Sequence, residues 1–125
     1  MDKVLKKILI IEDEEDLREM YGSKIKSAGY QVLTATCGDD GLKIIKQVKP
    51  DLVILDLIMP RKNGFDVMEE IKKDKTINKL PIIVLSNLCQ EEDKDLAKEM
   101  GAVDYLIKSQ IRLEDLVARI DNFFK

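Results

Sequence analysis

The chain predicts an α/β fold, a doubly wound parallel sheet with helices on both faces. Three observations carry that expectation. Short apolar runs alternate with stretches of helical periodicity five times, giving the order βαβαβαβαβα, and such alternation builds a parallel sheet. Two runs, residues 8–11 and 52–55, have no polar break, which suits strands buried on both faces. Four of the five runs then stop at a polar residue: Glu12-Asp13, Asp56, Ser86 and Lys108. In a parallel sheet all carboxyl ends lie on one rim, and its crossovers are right-handed almost without exception.

The elements follow in order. Residues 8–11 form the first strand and run into Glu12-Asp13-Glu14-Glu15-Asp16. Leu17, Met20, Tyr21, Ile25 and Ala28 follow at helical spacing, and Gly29 stops that helix as its C′ residue. Residues 31–35 alternate, Val32 and Thr34 against Leu33 and Ala35, and read as an edge strand. Asp39 or Asp40 is placed to cap a helix whose apolar positions are Leu42, Ile45 and Val48, and Pro50 closes it. The strand 52–55 ends at Asp56. A loop, Met59-Pro60-Arg61-Lys62-Asn63-Gly64, leads to a helix with Phe65, Met68 and Ile71 inward. Residues 72–80 are polar and loop-like. Pro81 opens the strand 82–85, which ends in Ser86. A charged helix covers about 91–100, and Gly101 ends it. Residues 103–107 form the fifth strand and end in Lys108. The last helix buries Leu113, Leu116, Val117, Ile120 and Phe124. With no repeat, linker or low-complexity tract, residues 1–125 read as one domain, long enough for a real core.

Composition narrows the function. Hydrophobic residues make up 45% and charged residues 36%, as in soluble globular proteins. The net charge of −3 argues against a nucleic-acid binder, which usually shows a basic face. Cys37 and Cys89 lack a CxxC spacing and read as reduced thiols in a cytoplasmic protein. The start, MDKVLKKILII, has only a brief apolar run before the acids and does not read as a signal peptide. No stretch approaches a membrane span. The chain has no histidine, which excludes a histidine-ligated metal, a histidine base and a histidine phospho-carrier within it.

The strand ends supply three carboxylates, one hydroxyl and one ammonium. Each has a bland reading alone. Acids opening a helix are favoured by its dipole. An Asp or Ser after a strand serves as a cap or turn residue, a Lys there is a solvated charge, Tyr105 is a packing aromatic, and Asn63-Gly64 is a turn signal. Together they suit Mg²⁺ and a phosphoryl group. Mg²⁺ takes oxygen ligands, usually one or two carboxylates with waters and a phosphate. Asp56 can act as a nucleophile, because carboxylates form acyl phosphates. Lys108 can neutralise phosphoryl oxygens as charge moves, and Ser86 can donate to the attached group. Without a cation, the clustered acids would raise one another's pKa values.

These motifs resemble the receiver domain of bacterial two-component response regulators, over about residues 7–124. The residues that carry the resemblance are ILIIEDE with Glu12-Asp13, LVILDLIMP followed by NG with Asp56, IIVLS with Ser86, and DYLIK with Tyr105 and Lys108. The resemblance implies a flavodoxin-like sheet in strand order 2-1-3-4-5. It implies that a sensor histidine kinase or histidine phosphotransfer protein donates a phosphoryl group to Asp56. Asp13 and Asp56 would bind Mg²⁺ directly with the main-chain carbonyl of Ile58, and Glu12 through water. Ser86 would then draw inward with Tyr105 behind it. The face of the fourth helix, fifth strand and fifth helix would change its preference for a downstream protein, in a monomer or a phosphorylation-dependent dimer, with no direct contact to nucleic acid or membrane.

Four departures from the family pattern stand out. Glu12-Asp13 replaces the common Asp-Asp, and Ser86 the commoner Thr. Asn87 stands where a small residue is usual. Ser109 follows Lys108 where the family typically has a cis proline. A non-proline cis bond costs roughly 3–4 kcal/mol, so a trans bond and a reshaped, slightly longer 108–112 loop are expected. Apolar Ile58 and Leu88 flank the phosphoryl site, and neither can orient an attacking water, so slow self-dephosphorylation is expected.

Competing readings are weaker. A phosphatase of the haloacid-dehalogenase type needs a second Asp two positions after the first, where this chain has Ile58. In a flavodoxin-like FMN protein the acids at 12–16 would repel the phosphate, and no Walker A or GxGxxG pattern is present. A degenerate receiver, acting as an interaction module that takes no phosphate, remains the alternative.

Overall fold

The computed structural model describes residues 6–125; the start of the sequence on which the signal-peptide reading partly rests, residues 1–5, lies outside the described residues. Five strands alternate with five helices: β1 Lys7–Ile11, α1 Glu15–Ser27, β2 Gln31–Ala35, α2 Gly38–Val48, β3 Leu52–Leu55, α3 Gly64–Lys73, β4 Ile82–Ser86, α4 Glu91–Glu99, β5 Ala102–Ile107 and α5 Leu113–Phe123. The strands form one parallel sheet in the order β2-β1-β3-β4-β5, the flavodoxin-like arrangement expected. β2 lies at an edge, as its alternating pattern predicted.

Period-two alternation divides the core into two layers. On β1, Leu9 and Ile11 face one layer with Val53, Leu55, Ile82 and Val84. Leu42 and Ile45 of α2, Val67, Met68 and Ile71 of α3 and Ala97 of α4 close that layer. Ile8 and Ile10 face the other layer, with Leu52, Ile54, Ile83 and Leu85, and are covered by Tyr21 and Ile25 of α1 and Leu116 and Ile120 of α5. Residues 8–11, 52–55 and 82–85 of the central strands β1, β3 and β4 are apolar without a break because both their faces are covered.

The ends of the elements follow local chemistry. Gly29 and Gly101 adopt φ of 106° and 107°, so each supplies the left-handed turn that ends its helix. The second helix begins earlier than the acids suggest: Cys37 is its N-cap, and Asp39 and Asp40 sit in its first turn, where they favour the positive end of the helix dipole. That helix lies close to the sheet. A Cβ on Gly41 would stand 2.4 Å from Ile11 Cδ1. The Lys108–Ser109 bond is trans, as expected, since no cis peptide occurs among the described residues. None of the described helices is long and apolar enough to cross a membrane. Both cysteines are free thiols.

Candidate functional site

The strand order reverses beside β1: the chain leaves β1 for β2 on one side and returns as β3 on the other. Loops diverge at such a switch point and leave a crevice at the carboxyl ends of the strands. The crevice here is a cleft of about 270 Å³ lined by Glu12, Asp13, Glu14, Asp56, Ile58, Asn87 and Lys108. Strand ends far apart in sequence have become its walls.

Parallel register puts β1 beside β3, so Ile11 pairs with Leu55 and the acids that follow them are neighbours. Asp56 N–H donates to the Ile11 carbonyl at 3.2 Å, extending the ladder to the acceptor residue itself. One carboxylate oxygen from each of Glu12, Asp13 and Asp56 lies within 4.8 Å of the others. Glu12 and Asp56 are almost wholly buried, at 1% and 5% exposure, while Asp13 is exposed. Such a donor set is all oxygen and partly open to solvent, which fits a hard divalent cation such as Mg²⁺.

Lys108 enters from the end of β5 and pairs with both buried acids. Its Nζ lies 2.5 Å from Glu12 Oε1 and 2.8 Å from Asp56 Oδ2. Burial opposes the Lys108 charge, but hydrogen bonds to Asp56 and Glu12 outweigh it and hold the ammonium above its ordinary pKa. Glu12 is pushed above the usual carboxylate range by burial; hydrogen bonds from Lys108 and the Glu14 N–H only partly offset this. Asp56 Oδ1 accepts the Ile58 N–H at 3.1 Å, so both its oxygens are held. Gly64 explains how the loop after Asp56 packs so tightly. Its N–H donates to the Leu57 carbonyl at 3.0 Å, and a Cβ there would stand 2.4 Å from the Asp56 carbonyl oxygen.

Ser86 and Tyr105 lie behind this cleft, joined through the backbone of one residue, Leu88. Ser86 is fully buried, and its Oγ accepts the Leu88 N–H at 3.4 Å. The Tyr105 hydroxyl donates to the Leu88 carbonyl at 2.7 Å. Leu88 therefore touches both switch candidates through its backbone. Its side chain packs against the core layer of α2, α3 and α4 and is not part of the cleft wall. Ile58, 52% exposed, is the apolar residue that lines the cleft.

A family model described as the response regulator receiver domain matches residues 8–121. The chain belongs to the receiver family. A protein named "Probable transcriptional regulator ycf27" in Guillardia theta is 39% identical over 114 residues, covering 91% of this chain and 43% of its own. "Protein PilH" of Pseudomonas aeruginosa is 37% identical over 102 residues, covering 82% of this chain and 84% of its own. The chemotaxis protein CheY4 of Vibrio cholerae has a solved structure with a TM-score of 0.87 at 27% identity, over 94% of this chain and 97% of that one. The receiver spans about half the length of several curated relatives it matches.

Two contacts of this receiver's site carry no sequence signal. Arg18 of α1 donates from Nη1 to the Glu12 carbonyl at 3.0 Å and so braces the acidic turn. Asn87 accepts from the Ser109 backbone at 3.1 Å. Arg18 reads in sequence as an ordinary polar residue on a helix; Asn87 stands out there as a departure, but its contact with Ser109 does not.

Proposed function

We propose that this receiver takes a phosphoryl group on Asp56 from a histidine kinase or histidine phosphotransfer protein, with Mg²⁺, and that the change alters its hold on a downstream protein. The observation that carries the reading is Lys108 bridging Glu12 and Asp56 in a cleft that also holds Asp13. Three carboxylates against one ammonium leave an excess of negative charge, which a divalent cation and a phosphoryl group resolve together. The ion would be held by Asp13 and Asp56 with the Ile58 carbonyl, and by Glu12 through water, and it would neutralise phosphoryl oxygens. An Asp56 carboxylate oxygen attacks the donor's phosphorus; the new O–P bond forms as the bond to the donor breaks, and the donor keeps that electron pair. Lys108 is already within reach to pair with the incoming oxygens. Ser86 then turns its hydroxyl toward the group. Because Leu88 is bonded to both Ser86 and Tyr105, that movement carries to Tyr105 and the α4-β5-α5 face, a local charge event biasing a two-state element. In this reading residues 1–125 are one cytoplasmic signalling domain rather than an enzyme with its own substrate.

Intact mass after incubation with a small acyl-phosphate donor tests this. One phosphoryl group is expected, only with Mg²⁺ and only with Asp56 present; Asp56→Asn is the control. No gain, with no Mg²⁺ binding by titration, would favour the degenerate receiver. The lifetime of the phosphoryl group is a second readout. Ile58 offers no hydrogen bond to a water, so Ile58→Asn is expected to speed hydrolysis several-fold, within the roughly 10²–10⁴-fold range of positioned acid–base groups. An unchanged decay rate would remove Ile58 from the explanation.

A further inference from the structure

The backbone around Lys108 is held by an unusual alternation of partners. Lys108 N–H donates to the Ser86 carbonyl at 3.0 Å, the last bond of the β4–β5 ladder. One residue on, Ser109 N–H donates to the Asn87 side-chain oxygen at 3.1 Å. β4 has ended at Ser86, so the side chain of Asn87 extends the ladder by one bond. The Lys108–Ser109 peptide thus lies between two hydrogen bonds to consecutive residues. Gln110 N–H donates back to the Ile107 carbonyl at 2.9 Å, and the chain turns. Asn87 also stands between two hollows: it lines the acidic cleft, and it lines the adjoining groove of Met20, Tyr21 and Ile111.

We infer that Asn87 is a positioning residue for Lys108, acting through the Ser109 amide; the inference rests on the proposed phosphoryl acceptance at Asp56. The two positions form a matched pair. Proline at 109 has no N–H to give, and a small apolar residue at 87 has no acceptor. Asn87 and Ser109, which look like separate departures in the sequence, are two halves of one contact. The lysine stem is flexible, so a loosened backbone still lets the ammonium reach the acids at rest, but from a displaced base that changes its surroundings. It does not hold the ammonium on the oxygens of a transferring group, where small misplacements are costly. Asn87 is exposed, so removing its amide leaves the core intact.

The test uses the whole chain, a small acyl-phosphate donor and nuclear magnetic resonance. In Asn87→Ala the Ser109 amide is expected to exchange faster with solvent and the Lys108 ammonium signal to shift. The phosphorylation rate at saturating donor should fall about five-fold, the worth of one ordinary hydrogen bond, with Mg²⁺ affinity unchanged. Ser109→Pro should cost a similar factor, and Asn87→Ala combined with Ser109→Pro no more than either alone. Ser109→Ala keeps the N–H, so its amide should stay protected. The inference is overturned by a freely exchanging Ser109 amide in the wild type, by an unmoved Lys108 signal in Asn87→Ala, or by losses that multiply in the double variant. A wild type that accepts no phosphoryl group would sink the reading of Asp56 instead; amide exchange and the Lys108 signal would still decide the role of Asn87.

Discussion

Charge imbalance in the cleft sets the sign of two substitutions. Lys108 is the partner of both buried acids, and removing it leaves Glu12 and Asp56 facing each other without a countercharge. Lys108→Met is expected to lose about 3 kcal/mol of stability in metal-free buffer, the usual cost of stripping one partner from a buried pair. Asp56→Asn has the opposite sign. It removes one of three crowded carboxylates while Lys108 keeps Glu12, so a gain on the order of 1 kcal/mol is expected. Urea unfolding midpoints at unchanged slope measure both; equal signs would show that crowding does not govern this cleft. Asp56, Ser86 and Lys108 were legible in the sequence because each ends an apolar run, and parallel strands bring such ends to one rim. Arg18 was not legible, and Asn87 was legible only as a departure, without its partner Ser109. A polar residue on a helix or in a loop has no pattern, and its partner exists only once the fold has placed it.

At the scale of elements, a segment's type was easier to read than its ends. All five strands and five helices were visible as periodicity, but the second helix starts at Gly38 rather than after the acids. Its neighbours explain why: Gly38 and Gly41 let it approach Val67 and Ile11 so closely that a side chain at either position would collide. Ile77, buried in a mostly polar connection, shows the same limit, since Ile77 and Leu80 alone make no period. Asn63-Gly64 read as a turn and proves to be the start of α3. Asn63 Oδ1 accepts the Asp66 N–H at 3.0 Å, and the Asp66 carboxylate accepts the Asn63 N–H at 3.1 Å, a reciprocal capping box. Asn63→Ala is expected to cost about 1 kcal/mol, read from the thermal midpoint. Gly64 lies against the Asp56 carbonyl, so fraying here should also slow phosphorylation. A stability loss with an unchanged rate would mean the loop holds Asp56 without help from the cap.

Across the whole molecule, the parallel fold aligns every helix with its N-terminus toward the rim that holds the site. The first turn of each of the five helices carries acid, and the last turns of α1 to α4 carry base, as helix dipoles favour. The site rim is therefore rich in negative charge, and that charge reaches Tyr21 and Tyr105. The chain has three tyrosines, and each holds its phenolic proton above the ordinary value of 10. Burial is the main cause for Tyr21, with the charges of Glu12 and Asp56 adding to it. Burial and the hydrogen bond to Asp121 act on Tyr30. Tyr105 is pushed up to about 12 by burial, reinforced by Asp93, Cys89 and Asp56. The sign follows from linkage. Above pH 10 the unfolded chain releases these protons while the folded one keeps them, so the tyrosine contribution to stability is whole below pH 10 and is lost as pH rises through about 12. An ultraviolet titration should therefore show little tyrosinate near pH 10 in the folded protein, while in urea all three tyrosines should be about half ionised at that pH. Tyr105→Phe should remove the step at about 12. A full tyrosine equivalent appearing near pH 10 in the folded wild type, and absent from Tyr105→Phe, would mean that Tyr105 has left the Leu88 carbonyl for solvent. The same titration thus reads the resting position of the aromatic proposed to move when Asp56 is phosphorylated.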